Sequence, residues 1–176
     1  MIEYMRLGPA EARSRVGELR AVYEAVFSLP PYNEGPEMAQ AFVGWIRDES
    51  TLPGFCLVAA SDSARLVGFA YGHRKPAGTW WRGADRPAPD AVRAADTFAV
   101  MEWAVLPDQR GQGIGRGLLD RLLADRPEPY ATLMVNPSTD ARAIYAQWGW
   151  HHVASTAPGR LPGMHILLRE LSPHSS

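Results

Sequence analysis

The chain has 176 residues, enough for one domain with a sizeable core, and its formal net charge of −1 indicates no surface for nucleic acid or an acidic membrane. The single cysteine, Cys56, excludes an intrachain disulfide framework and a cysteine zinc site. No apolar run reaches about 18 residues and the first residues do not resemble a signal peptide, so we expect no membrane span and a cytoplasmic location.

Apolar spacing predicts strands and helices in the order β-α-α-β-β-β-α-β-α-β-β. The strands are expected at residues 2–7, 55–60, 66–74, 97–105, 130–135, 150–155 and 164–171. The helices are expected at 10–27, at 36–49, in a stretch with Ile114, Leu118, Leu119 and Leu122 on one face, and between Ser138 and Gly149. This order predicts a mixed sheet with helices on both faces.

Between these elements the chain shows one long irregular loop, at residues 75–95, which is rich in Pro, Gly and Asp. The tail at 172–176 is expected to fray. We see no internal repeat and no linker, so the prediction is one domain over residues 1–176.

A glycine-rich stretch at residues 105–119, VLPDQRGQGIGRGLL, joins the fourth predicted strand to a helix. Glycines at alternate positions allow positive φ and a close approach of backbone to ligand. A helix that starts among them presents unpaired N–H groups and the positive end of its dipole. The stretch therefore predicts an anion site, most simply for a phosphorylated cofactor.

Three other interpretations of this stretch compete with that one. The dinucleotide fingerprint G-x-G-x-x-G fails, because its sixth position falls on Arg116 or Leu118. The Walker A pattern fails because no lysine is near. A flexible turn without a ligand is the remaining alternative, although four glycines would then make a weak helix start.

Two segments carry a family resemblance. Arg110-Gly111-Gln112-Gly113-Ile114-Gly115 matches the R/Q-x-x-G-x-G/A signature of the GNAT superfamily of acyl-CoA-dependent N-acyltransferases. Residues 138–150, STDARAIYAQWGW, resemble the family segment N-x-x-A-x-x-L-Y-x-x-x-G-F, with Ser138 in place of Asn and Trp150 in place of Phe. The resemblance covers roughly residues 2–171. It implies a central mixed, mostly antiparallel sheet of about seven strands with about four flanking helices and a V-shaped splay between the two central strands.

The resemblance also implies acetyl-CoA as co-substrate, no metal, and an acetyl group transferred directly to an amine. The cofactor would be bound by residues on either side of the loop and after the fifth strand: Trp103, Ala104, Val105, Arg110, Gly111, Gln112, Gly113, Ile114, Gly115, Arg116, Asn136, Ser138 and Ala141. Tyr145 matches the family's general acid, which protonates the leaving thiolate. The alternative interpretation of Tyr145 is a tyrosine of the core.

Several other residues have a chemical and a structural interpretation. Glu102 lies in an apolar strand and is the candidate base or the end of a water relay; the alternative is an ion pair with an arginine. Tyr32 and Glu34 are candidates for binding the acceptor amine. The alternative is that they are ordinary polar residues of an exposed loop. Trp80 and Trp81 could bind the acceptor or anchor their loop.

The functional hypothesis is an N-acetyltransferase for a small-molecule amine, with a homodimer as the expected assembly. Two alternatives stay open: a non-catalytic acyl-CoA-binding module, and an acetyltransferase for protein N-termini or lysines. The acceptor itself is not encoded in the motifs, because acceptor sites lie on variable loops.

Overall fold

A computed structural model of the chain describes residues 1–138, 145–159 and 163–171. Its strands are β1 (Ile2–Leu7), β2 (Cys56–Asp62), β3 (Arg65–Lys75), β4 (Thr97–Val105), β5 (Tyr130–Val135), β6 (His151–Ser155) and β7 (His165–Glu170). Its helices are α1 (Pro9–Ser14), α2 (Val16–Phe27), α3 (Pro36–Glu49), α4 (Asp90–Arg93) and α5 (Ile114–Leu123), with a 3₁₀ turn at Pro107–Gln109. Residues 145–147 are also helical.

The seven strands form one sheet in the order β1-β2-β3-β4-β5-β7-β6. Pairing is antiparallel in β1–β2, β2–β3, β5–β7 and β6–β7, and parallel in β4–β5. The parallel register joins Thr97–Val100 to Tyr130–Leu133. The predicted mixed, mostly antiparallel sheet with flanking helices is therefore confirmed.

The chain divides into two compact units, and β3 and β4 each run through both. The first unit comprises residues 1–73 and 101–124. Helix α2 packs on α3 and helix α5 packs on β2, because each helix carries an apolar stripe. The fully buried side chains of this unit include Leu19, Phe42, Ile46, Leu57, Phe69, Leu118 and Leu122.

The second unit comprises residues 74–100 and 125–176. Its described core includes Phe98, Ala131, Leu133 and Ile166. One glutamate, Glu128, is buried here as well, and two arginines hold its carboxylate.

The first predicted helix is wrong in one respect: the structure divides residues 10–27 into α1 and α2 at Arg15, whose ψ is 15°. Arg15 pairs with Glu18 at 2.8 Å, and Gly17 weakens helix continuity next to this break. Strand β2 extends to Asp62, beyond the expected end at residue 60, and the turn to β3 is made by Ser63 and Ala64, which both have positive φ. The loop at 75–95 contains one regular element, the single turn α4.

Within the described ranges no helix is long and apolar enough to cross a bilayer.

Candidate functional site

The glycine-rich stretch is a strand-to-helix connection within the first unit. Strand β4 ends at Val105, the 3₁₀ turn follows, and α5 begins at Ile114. The N–H of Leu106 donates to the carbonyl of Val67 at 2.9 Å, which ties the start of the connection to β3. Gly113 is the N-cap of α5 with φ of 77°. The connection therefore delivers a helix N-terminus directly after a sheet strand.

The four glycines of this stretch have two different roles. Gly111 and Gly113 both have φ of +77°, and a Cβ added to either would have no atom within 4 Å. A Cβ on Gly115 would lie 3.0 Å from the Trp103 ring, and one on Gly117 would overlap the Tyr4 hydroxyl. The first two glycines thus leave open space beside backbone, and the last two allow close packing.

A pyrophosphate suits the open half of this loop. The first helical N–H with a backbone partner belongs to Gly117, which donates to Gly113 O at 2.9 Å. The N–H groups of the preceding turn have no intrahelical acceptor, as at any helix start, and they carry the positive end of the dipole. Space, donors and dipole together fit the phosphates of an acyl-CoA.

Trp103 fixes the start of α5. Its indole Nε1–H donates to Gly115 O at 3.0 Å. Arg110 turns back toward the strand, with Nε 3.4 Å from Val105 O, and Arg116 pairs with Asp120 at 3.3 Å. The predicted cofactor residues of β4 and the loop are therefore all brought together in the first unit.

Glu102 lies in β4, partly buried, on the strand that leads to the glycine loop. Burial raises the pKa of Glu102 to about 8, and the negative charges of Glu34 and Glu49 contribute to the rise. Within the described residues its carboxyl makes neither a hydrogen bond nor an ion pair. The arginine ion pair that was the structural alternative for Glu102 is absent there.

The loop between α2 and α3 brings Tyr32 and Glu34 into the same electrostatic neighbourhood. Burial raises the pKa of Tyr32, Arg110 opposes that rise, and Glu102 adds to it. The Tyr32 ring packs edge-on against Phe27 with centroids 4.9 Å apart. Burial also raises the pKa of Glu34, although a 2.6 Å hydrogen bond from Tyr23 opposes the change. The negative charges of Glu34 and Glu102 both raise the pKa of Tyr32, so the two predicted acceptor residues are electrostatic neighbours of Glu102.

The sequence patterns did not single out two residues of this neighbourhood, Glu49 and Tyr71. Glu49, at the end of α3, accepts a 2.6 Å hydrogen bond from the Tyr71 hydroxyl. Tyr71 is 1% exposed in β3. A tyrosine on a buried strand face needs a partner for its hydroxyl, and that was the available signal.

The second unit contains Tyr145 and the predicted residues after β5. Tyr145 is 6% exposed and contacts Trp148 and Trp150 edge-on, with centroids 6.4 and 6.3 Å away. Asn136 Oδ1 accepts the backbone N–H of Ser138 at 3.0 Å and its hydroxyl at 2.7 Å. Ala141 and most of the predicted helix after Ser138 lie outside the described residues.

Trp80 and Trp81 are also in the second unit. Trp80 packs against the apolar cluster of Ala88, Val92 and Leu168. Trp81 is 8% exposed, and the Lys75 ammonium lies 4.8 Å from its ring centroid. Both indoles contribute to packing of this unit, and a contact with the acceptor stays a prediction. Across the part of the chain that the structure covers, no group of three or more His, Cys, Asp or Glu side chains could hold a metal ion.

Known proteins share the fold and part of the sequence of this chain. The family model for the acetyltransferase (GNAT) family matches residues 19–150. An L-2,4-diaminobutyric acid acetyltransferase of Nocardia farcinica is 34% identical over 90 residues, which is 51% of this chain and 36% of that protein. A GCN5-like protein acetyltransferase of Mycobacterium tuberculosis is 31% identical over 102 residues, 53% of this chain and 48% of that protein. The chain therefore spans about a third to a half of these curated relatives.

The crystal structure of the PaiA N-acetyltransferase of Thermoplasma acidophilum in complex with coenzyme A has the same fold, with a TM-score of 0.61. It is 13% identical, and the superposition covers 97% of this chain and 99% of that one.

Proposed function

This chain belongs to the GNAT acetyltransferase family, and from that premise we propose that it is an acetyl-CoA-dependent N-acetyltransferase for a primary amine of a small molecule. The observation that carries the proposal is Glu102. Its carboxyl lacks an arginine partner among the described residues, its pKa is raised to about 8, and its strand runs into the glycine loop. A base of that pKa is suited to an amine whose own pKa is about 10.4.

Acetyl-CoA would be held by the loop and its flanks. The backbone N–H groups from Arg110 to Arg116 would bind the pyrophosphate, and the backbone at Trp103, Ala104 and Val105 would bind the pantetheine arm. Asn136, Ser138 and Ala141 are further proposed contacts with the cofactor. When bound, acetyl-CoA supplies an acetyl thioester, whose carbonyl carbon bonds to the amine nitrogen as the carbon–sulfur bond breaks and CoA leaves as the thiol.

The chain's own groups would move two protons. The Glu102 carboxylate, directly or through water, takes the proton that the acceptor ammonium must lose before its nitrogen can attack. The Tyr145 hydroxyl donates a proton to the departing sulfur, and it is reprotonated through water by the second proton that the nitrogen loses as it becomes an amide. Tyr32 and Glu34 orient the cationic acceptor, and Trp80 and Trp81 are proposed as further acceptor contacts.

Acetyl transfer to a panel of amines tests the proposal. The panel contains 2,4-diaminobutyrate, simple alkylamines, and peptides with a free N-terminus or a lysine, and the readout is saturable thiol release. The relative named for diaminobutyrate supports a small acceptor. The relative named as a protein acetyltransferase supports the lysine or N-terminal alternative, so release with peptides alone would select it. Acetyl-CoA binding without release from any amine would select the non-catalytic module.

Replacement of Tyr145 by Phe tests the acid role. Phe preserves the ring that packs against Trp148 and Trp150 and removes only the hydroxyl. We expect kcat to fall about tenfold or more, while the Kd for acetyl-CoA changes less than twofold. An unchanged kcat would remove Tyr145 from the mechanism.

We further propose a single domain, a homodimer and a cytoplasmic location. The family match runs through both compact units, which supports the single domain. One cooperative unfolding transition and a dimeric mass by light scattering are the expected results.

A further inference from the structure

Two buried tyrosines flank Phe42 in the first unit, and each holds a glutamate. Phe42 is 0% exposed, stacks on Tyr23 with centroids 4.5 Å apart, and lies 6.4 Å from the Tyr71 centroid. Tyr23 donates to Glu34 and Tyr71 donates to Glu49, each at 2.6 Å. Since both rings are packed in the core, the two carboxylates are held in place by their hydrogen bonds.

The Glu49 end of this arrangement joins a strand to a helix, since Tyr71 lies in β3 and Glu49 in α3. Tyr71 contacts Phe55 as well as Phe42, with centroids 5.9 Å apart for the former pair. Glu49 itself is partly buried in the last turn of α3, which is a regular helix. A hydrogen bond from a fixed phenol limits the positions that this carboxylate can adopt.

Glu102 lies on β4, next to β3 in the sheet, and the hydrogen bond from the Leu106 N–H to the Val67 carbonyl joins the two strands. Tyr71 lies four residues after Val67 and Glu102 four residues before Leu106. Glu102 interacts electrostatically with groups from several elements. Glu34 and Tyr32 come from the α2–α3 loop, Tyr23 from α2, Glu49 from α3 and Tyr71 from β3. Arg110, after β4, acts on Tyr32. The two carboxylates both push Glu102 toward its neutral form, and they assist burial in doing so. Burial is the larger cause, so removal of one carboxylate should lower the pKa of Glu102 without returning it to an ordinary value.

We propose that Glu49, anchored by Tyr71, is a positioning residue that acts through Glu102 and keeps it able to take up the acceptor's proton near neutral pH. This inference rests on the proposed acetyltransferase function. The step is a proton transfer: the ammonium nitrogen loses one proton, the Glu102 carboxylate gains it, and a neutral amine and a carboxylic acid result. Glu49 contributes only the electrostatic repulsion that disfavours the charged form of Glu102.

Glu49→Gln is the matched variant, because its side-chain oxygen can still accept the Tyr71 hydrogen bond while the charge is lost. The carboxyl carbon of Glu102 is followed by ¹³C NMR through a pH titration of the full chain, with its resonance assigned by its loss in Glu102→Gln. In parallel, the pH profile of kcat/KM is measured with the best amine. Glu24→Gln, on the exposed face of α2, is the control.

We expect the Glu102 midpoint to fall by about half a pH unit or more in Glu49→Gln, since a nearby unit charge has been removed. The limb of the kcat/KM profile that belongs to Glu102 should shift by the same amount, and Glu24→Gln should titrate as the wild type does. Tyr71→Phe keeps the charge of Glu49 but removes the hydrogen bond that holds it in place. The Glu102 midpoint in this variant should therefore lie between those of the wild type and Glu49→Gln.

A wild-type midpoint in Glu49→Gln overturns the inference, whatever the enzyme assay gives. A wild-type midpoint in Tyr71→Phe overturns the anchoring by Tyr71. Because the NMR titration needs no turnover, a shifted midpoint without acetyl transfer to any amine counts against the proposed function alone.

Discussion

Glu102 and Glu128 are the same side chain in opposite surroundings. Glu128, in the second unit, accepts hydrogen bonds from Arg74 and Arg126 at 2.9 Å each. Glu102, in the first unit, has carboxylates and tyrosines as its neighbours. Burial alone would raise the pKa of both, but the two arginines bring the pKa of Glu128 below its usual range.

The surroundings of each carboxyl determine whether it stays charged or exchanges protons. Arg126 is also fixed, because its guanidinium lies 3.9 Å from the Phe98 ring centroid. Glu128 is therefore held in its charged form and joins residues 74 and 126 within the second unit. Glu102 is held close to the balance between its two forms, and a group in that state exchanges protons near neutral pH. The first arrangement suits stability and the second suits catalysis.

The largest effect expected from this comparison is on turnover. Glu102→Gln keeps the shape of the side chain and removes its ability to take a proton. We expect kcat/KM to fall by roughly two to four orders of magnitude, the usual contribution of a general base. Steady-state kinetics over the pH range 6 to 10 would measure it, with Glu24→Gln as control. A loss below about threefold would assign Glu102 a structural role.

The second largest expected effect is on stability, at Glu128. Glu128→Ala leaves Arg126, whose side chain is 8% exposed, without its main partner. The free energy of unfolding should fall by about 3 kcal/mol at neutral pH, as measured by urea denaturation. Asp90→Ala is the matched control, since its ion pair with Arg93 involves a carboxyl that is 92% exposed. That control should change the stability by less than about 0.5 kcal/mol.

The pH dependence of stability should separate the two glutamates further. The pKa of Glu102 is raised from 4.5 to about 8 in the folded chain. Its favourable contribution is therefore fully present below about 4.5 and is lost as the pH rises through about 8. The Glu128 contribution has the opposite sign, because its lowered pKa makes it disappear as the pH falls through the folded value.

Glu102→Gln should consequently gain stability relative to the wild type between pH 6 and pH 9, by on the order of 2 kcal/mol. Urea unfolding of both proteins at several pH values measures the difference. A constant difference across that range would contradict the raised pKa of Glu102.

Local patterns predicted the parts of the site that lie close together in sequence. The spacing of Gly111 and Gly113 after a buried strand predicted a loop at a helix N-terminus, and Gly113 is the N-cap of α5. An isolated carboxyl in an apolar strand was enough to single out Glu102. The proposed chemical roles of these residues, like that of Tyr145, stay predictions.

Pairs that are distant in sequence could not be predicted. Glu49 and Tyr71 are 22 residues apart, and Arg74 and Glu128 are 54 apart. Which strand faces which helix decides such pairs, and no periodicity within one element contains that information. The break at Arg15 was missed for another reason: propensity is a weak prior, and a single residue with altered ψ leaves the apolar stripe unchanged.

The close packing of the last two glycines has a consequence for how this sequence can change over generations. A methyl group at position 117 would overlap the hydroxyl of Tyr4, and one at position 115 would press on the Trp103 ring. A larger residue at either place becomes acceptable only after its aromatic neighbour has shrunk. We therefore expect paired changes at positions 4 and 117, and likewise at positions 103 and 115. In this way β1, an edge strand more than 100 residues before α5, limits which residues α5 can contain.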